Sequence, residues 1–187
     1  NAAVGYAALD ANTTGVANVA MGYNALGANT TGTNNVAIGN GALDAVTTNA
    51  GEQVAIGVSS LGACTSGTSN VAVGARALEV NTSGSQNVAV GRYALDANTT
   101  ASNNTAIGYS ALGLTTTAGN NTAVGRAALA DNTTGSSNTV VGGDAGDAQT
   151  TANNNTLMGY NAGTAITTGG NNTVMGRSAQ GGSTVAT

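Results

Sequence analysis

Glycine returns along this chain at a fixed interval. Gly5, Gly22, Gly39, Gly57, Gly74, Gly91, Gly108, Gly125, Gly142, Gly159 and Gly176 stand 17 residues apart, except for one step of 18 between Gly39 and Gly57. The chain is thus eleven copies of one unit: Asn, Val or Thr, Ala, a large aliphatic residue, the marker Gly, two variable residues, Ala-Leu, two more variable residues, and Asn-Thr-Thr-Gly before the next copy. A period this short cannot hold the helix pairs of repeats of ~33 to 47 residues. It contains two turn signals, the marker glycine and the Asn-Thr-Thr-Gly stretch, with short extended segments between them such as Asn35–Gly39 and Gly41–Leu43. Strand, bend, strand and turn make one coil of a parallel β-solenoid. The expected fold is therefore all-β, with eleven coils stacked at ~4.8 Å into a rod about 50 Å long. Residues 1–187 form one tandem-repeat domain, expected to be a segment of a longer fibrous protein, and the extra residue falls in the turn near Asn49–Glu52. The stretch 177–187 drifts into Gln180-Gly-Gly-Ser-Thr-Val-Ala-Thr, a degenerate terminal repeat that either caps the stack or leads into another domain.

Composition narrows what such a rod can do. Charged residues are 6% of the chain, against roughly a quarter in ordinary soluble domains. A tract this poor in charge could be disordered, but 41% of the residues are hydrophobic, and they recur in strict phase. The net charge is −4 and the four basic residues include no lysine, so a nucleic-acid partner is not expected, since phosphate binding needs clustered cations. No apolar run approaches the ~18 residues of a membrane span. There is no histidine, which removes Ser-His-Asp and Cys-His nucleophile systems and the usual zinc sites. Cys64 is the single cysteine and takes the place of Asn12, Asn29, Asn81 or Asn98 in other copies; a tolerated small side chain is the expectation. No cofactor and no enzymatic activity are expected.

In-register stacking sets identical residues above one another. Ten copies begin with Asn and one with Gln53, which suits an amide ladder. Thr fills one position in all eleven copies, from Thr13 to Thr184. Like charges placed directly opposite are destabilising, and Arg92, Arg126 and Arg177 share a phase without ever falling in adjacent coils. Glu79 and Asp96 do stack, and an arginine, Arg76 or Arg92, stands near each.

The strand itself points to two dry faces. The residue before each marker glycine is always large and apolar, from Val4 to Met175. The one before that is Ala in the first eight copies and Val140, Leu157 and Val174 in the last three, which also replace the later Leu with Gly146, Gly163 and Gln180. Bulk leaves one position as it reaches the other, as it does when two positions share one packed space. The Val/Ile/Met row must then face elsewhere. A narrow coil offers one interior, so the second face calls for a partner, most simply other copies of this chain.

The block Asn35–Gly39, repeated nearly unchanged at Asn18–Gly22, Asn70–Gly74 and Asn87–Gly91, resembles the repeat of YadA-like trimeric autotransporter adhesin heads. The form Asn104–Leu112 with turns such as Asn132–Gly135 is similar to shaft repeats of phage tail fibres. The resemblance spans essentially the whole chain, although the unit is longer than that of adhesin heads. It implies a left-handed parallel β-roll, a homotrimer, and an adhesive or spacing role outside the cell, on a cell surface or on a virion.

Candidate contact residues lie just after the marker glycine: Tyr6, Tyr23, Tyr109 and Tyr160, alternating with Arg92, Arg126 and Arg177. Tyrosine and arginine supply the anchoring contacts of many binding surfaces, and a cell-surface glycan or receptor is the partner they suggest. Asp144 and Asp147 are the only close pair of acids within one copy. They suit neither a calcium-binding β-roll pattern nor a clear glycosidase pair, and Asp147 shares the phase of Asp10, Asp44 and Asp96. Nine Asn-x-Ser/Thr sequons occur, generated by the repeat itself. Two other functions fit a solenoid. One is ice binding, disfavoured because the paired threonines (Thr13-Thr14, Thr30-Thr31) are adjacent and point to different faces. The other is an extracellular filament assembled end to end.

Overall fold

The computed structural model describes residues 1–47 and 51–180. Among them are eleven strands of three residues each and no helix: β1 (Ala2–Val4), β2 (Val19–Met21), β3 (Val36–Ile38), β4 (Val54–Ile56), and then one per coil to β11 (Thr173–Met175). They form a single parallel sheet in sequential order. Each residue pairs with its counterpart one unit later, as Ala20 does with Ala37. The extra residue does not shift this register, since Val36, Ala37 and Ile38 pair with Val54, Ala55 and Ile56. Of the turn expected to hold it, Asn49 and Ala50 lie outside the described residues, as do Thr184 and the terminal stretch from Gly181.

The coil is strand plus turns, without the second extended segment that the sequence suggested. The Ala-Leu alternation at Gly41–Leu43 mimics a strand, but the backbone there is left-handed at both ends, with φ of 60° at Gly41 and 50° at Leu43. The same pair of left-handed residues recurs at Asn24 and Leu26 and at Arg76 and Leu78. Such a conformation costs an L-residue about 1–2 kcal/mol. Bonds in both directions along the rod offset it: Asn24 N–H donates to Tyr6 O at 2.9 Å and Leu26 N–H to Ala42 O at 3.0 Å. The marker glycine is needed for a different reason. At Gly22, with φ of 135°, a Cβ would sit 2.5 Å from the carbonyl oxygen of Gly39 in the next coil. Coils can approach this closely only where neither carries a side chain.

Inside the rod, the strand's middle residue (Ala20, Ala37 and their successors) packs against the Ala-Leu pair, and Leu26, Leu43, Leu61, Leu78, Leu95, Leu112 and Leu129 are fully buried. The reciprocal exchange of bulk has the expected geometry. Leu157 fills the space over both Gly146 and Gly163, its Cδ1 lying 2.7 Å from where a Cβ on Gly163 would be.

The remainder of the interior is polar and fully engaged along one row. Each leading Asn as far as Asn155 accepts the backbone N–H of the same position in the next coil, as when Asn35 donates to Asn18 Oδ1 at 3.0 Å and Asn121 to Asn104 Oδ1 at 2.9 Å. Its own amide then donates across the coil, Asn104 Nδ2 to Ala118 O at 2.8 Å. Gln53 keeps both connections, accepting from Asn70 N–H at 3.0 Å and donating to Gly67 O. Buried amides in these numbers are tolerable only because they are paired. Among the described residues the threonine row is a ladder too, interrupted at Thr47, with hydroxyls donating to the next threonine's carbonyl, as Thr13 does to Thr30 at 2.9 Å and Thr82 to Thr99 at 3.0 Å.

Candidate functional site

Two surfaces of the rod are distinctive, and both follow from the phase of the repeat. The first is the outer face of the sheet. Strand alternation buries the middle residue and turns its two neighbours outward, so the Val/Ile/Met row and the row preceding it run side by side along the rod. Neither row contains a charge from Ala2 to Met175. Val4 is 60% exposed, Met21 47% and Met175 67%. The preceding row is Ala2, then Val from Val19 through Val88, and then Thr at Thr105, Thr122, Thr139, Thr156 and Thr173.

The second surface is the corner that follows each marker glycine. There the chain makes its two left-handed turns around a buried alanine, and the side chains on either side of the buried Ala-Leu pair are exposed or half-exposed. All five tyrosines, all four arginines and seven of the eight acids fall within the six residues after a marker glycine, Glu52 being the exception. Apart from Glu52, charged and aromatic side chains are thus confined to one edge of the rod.

The candidate residues separate into clusters along this edge. Tyr6 and Tyr23 stack with ring centroids 5.4 Å apart. Arg92 and Tyr109 do not touch each other directly in any described contact; both meet Tyr93. Arg92 donates to the Tyr93 hydroxyl at 2.6 Å with its guanidinium 4.5 Å from the ring centroid, and Tyr109 meets the same ring edge-on at 5.8 Å. Arg126 pairs with Asp144 in the next coil. Tyr160 lies over Gly143, and Arg177 is exposed in the coil beyond it. Coils three to five carry Asn40, Val58 and Ala75 at this position, which separates the first cluster from the second.

Tyr93 and Arg76, one residue later in phase than the candidates, are the members that sequence reasoning missed. Arg76 lies 5.1 Å from the Tyr93 ring centroid and pairs with Glu79, so the Tyr93 ring holds two guanidiniums. Phase alone hid them. The usable signal was the Arg92-Tyr93 dipeptide, which shifts the aromatic residue by one place relative to every other coil. The expected partnership of Arg92 with Asp96 is also corrected: among the described residues Arg92 engages Tyr93, and the ion pairs are Arg76–Glu79 and Arg126–Asp144.

Burial acts on three titratable groups. Desolvation raises the Asp96 carboxyl above the ordinary range, with Glu79 adding to the effect and Arg76 opposing it. Desolvation likewise raises Asp147, helped by Asp144 and Asp131. Burial pushes the Cys64 thiol up; its sulfur lies 3.8 Å from Gln53 Nε2 inside the coil, a packing role in keeping with its phase. Asp144 is engaged by Arg126, so the Asp144/Asp147 pair is one ion-paired acid and one desolvated acid. Comparison of the chain with protein-family models, with curated proteins and with solved structures found no match.

Proposed function

We propose that this chain is a structural and adhesive fibre segment that self-associates through the outer face of its sheet, most simply as a trimer, and holds its chemically varied edge outward on a cell surface or virion. The observation that carries this reading is the uncharged outer face, continuous over eleven strands, with an unbroken Val/Ile/Met row that is exposed or half-exposed on the single chain. Monomeric proteins seldom expose contiguous apolar patches larger than a few hundred Å². The resemblance of the Asn-Val-Ala-Ile-Gly block to adhesin-head and tail-fibre repeats supports the same role. Light scattering at low micromolar concentration tests it: a trimer is expected, and a monomer overturns self-association. Val73→Lys combined with Ile107→Lys, two coils apart on that face, is expected to give a monomer that keeps its β circular dichroism. Electron microscopy separates short closed rods from end-to-end filaments.

One observation favours a second reading, ice binding. Five consecutive coils carry Thr on the outer face beside an exposed or half-exposed Ile, Val or Met, from Thr105 and Ile107 to Thr173 and Met175. The Thr13 row, by contrast, has hydroxyls already committed to carbonyls. Thermal hysteresis in a freezing assay supports that reading, and its absence ends it.

A further inference from the structure

We propose that the corner between coils six and eight is a binding groove for a neutral saccharide. The inference rests on reading the rod as an adhesive segment and names the ligand class of its chemically varied edge. An open groove of about 400 Å³ crosses the corner there, bordered by Tyr93, Asp96, Ser110, Gly113, Leu114 and Asp131. The size falls within the range of small-molecule sites.

The groove exists because of where the repeat loses its side chains. At the position that carries Asp96 in coil six, coil seven has Gly113 and coil eight Ala130. The missing bulk opens the corner between coils. Gly113 is itself buried, so a ligand there would contact the side chains that border the opening.

The lining matches a polyol. Carboxylates accept hydrogen bonds from ligand hydroxyls, and the Ser110 hydroxyl both donates and accepts. Leu114, 52% exposed, offers an apolar surface to the C–H face of a sugar ring. Tyr93 is held by both guanidiniums and by the edge of Tyr109, so that border is set before any ligand arrives, and preorganisation of this kind favours binding. Neither Asp96 nor Asp131 belongs to an ion pair among the described residues; both acids remain available to a ligand.

Charge selects against the other classes. The two lining carboxylates oppose an anion. A cation would seek the same acids and the Tyr93 ring, but Arg76 and Arg92 already stand against that ring. Around the groove, Arg76 and Arg92 nearly balance Glu79, Asp96 and Asp131, leaving a site that is polar yet close to neutral. A related groove crosses coils three to five, with Asp44, Ser59 and Gly62 in the places of Asp96, Ser110 and Gly113, Glu79 in that of Ala130 and Val80 in that of Asp131. Its acids are engaged, Asp44 by Asn24 at 3.2 Å and Glu79 by Arg76. It provides an internal control.

The test is saturation-transfer NMR on the whole chain with three neutral trisaccharides of gluco, galacto and manno configuration, each at about 10 mM, and with N-acetyl-lysine amide as the cationic probe. Binding of at least one trisaccharide with Kd near ~1 mM is expected. Asp96→Asn should weaken it by about tenfold or more, because a hydrogen bond to a charged group is lost, while Asp44→Asn leaves it unchanged. Leu114→Ala, at an exposed position, should also weaken it and guards against misfolding of the Asp96 variant. Failure of all three sugars to bind overturns the proposal, as does binding that survives both groove substitutions, or displacement of the sugar by the lysine probe. Light scattering on the same samples reads assembly independently, so loss of the ligand and loss of the fibre reading are distinguishable.

Discussion

Leu157 stands in the space that a side chain on Gly146 would need, its Cδ1 2.8 Å from where the Cβ would sit. The two residues lie in successive coils, so bulk is shared along the rod as well as across it. Leu157→Ala should cost about 2–5 kcal/mol through the cavity it leaves. Gly163→Leu alone should cost about 1–3 kcal/mol by overpacking against Leu157. Together they restore the Ala-and-Leu arrangement of the first eight copies, and the double variant should be more stable than the sum of the single losses by about 0.5–3 kcal/mol. Urea midpoints of the four proteins provide the check; strict additivity would refute the shared-space account.

The leading Asn row should be as important as the leucines. Asn104→Ala strips a partner from Asn121 N–H and from Ala118 O in one step. Each buried group left unpaired costs about 1–3 kcal/mol, so a loss of several kcal/mol is expected. The exposed Asn40→Ala should stay within about 0.5 kcal/mol. Comparable losses from the two substitutions would count against the ladder.

A second amide row, at the turn, is broken, and the break is repairable. Asn29 donates to Asn12 Oδ1 at 3.1 Å and Asn98 to Asn81 Oδ1 at 2.8 Å. The next coil has Thr115, and Asn98 Oδ1 is left buried without a partner. Thr115→Asn should supply the missing donor and gain about 1 kcal/mol net, a rise of roughly 2–4 °C in Tm for a chain of this size. Calorimetry would show it, and an unchanged or lower Tm would reject the repair.

Acidity should stabilise this fold locally. Asp96 and Asp147 have carboxyls raised above the usual 3.8 in the folded state, by desolvation first. The folded state therefore binds protons more readily than the unfolded chain, and the penalty from these groups is relieved as pH falls through their raised values toward the ordinary one. Asp147→Asn should stabilise at neutral pH and lose that advantage in mild acid. Denaturation midpoints at neutral pH and in mild acid read this directly; an advantage that grows on acidification would contradict it.

Much of the architecture could be read from the sequence, because in-register stacking makes the period a measure of coil length and the phase a measure of direction. Ala20 and Leu26 point inward and Met21 outward, as the strand period requires. The exchange at Val140 through Gly163 gave a packing contact that ordinarily needs coordinates. The second strand failed because period-two alternation also fits a corner with left-handed residues two apart, and the identities at Gly41–Leu43 do not separate the two. The edge cluster was half legible: Tyr6, Tyr109 and Arg92 are exposed as expected, while Tyr93 was hidden by its one-place shift. Gly113, whose missing side chain opens the groove, carried no chemical signal at all.

The Asn and Thr ladders have a mechanical consequence. Their bonds, like those of the sheet, run along the rod's length between successive coils. Tension applied to the two ends of the chain loads the outermost coil's bonds before those within. Each coil that peels away gives up about 4.8 Å of rod and releases 17 residues of chain, which extend to roughly 55–60 Å. A segment built this way lengthens under force in equal steps, yielding from its ends while the coils between remain intact.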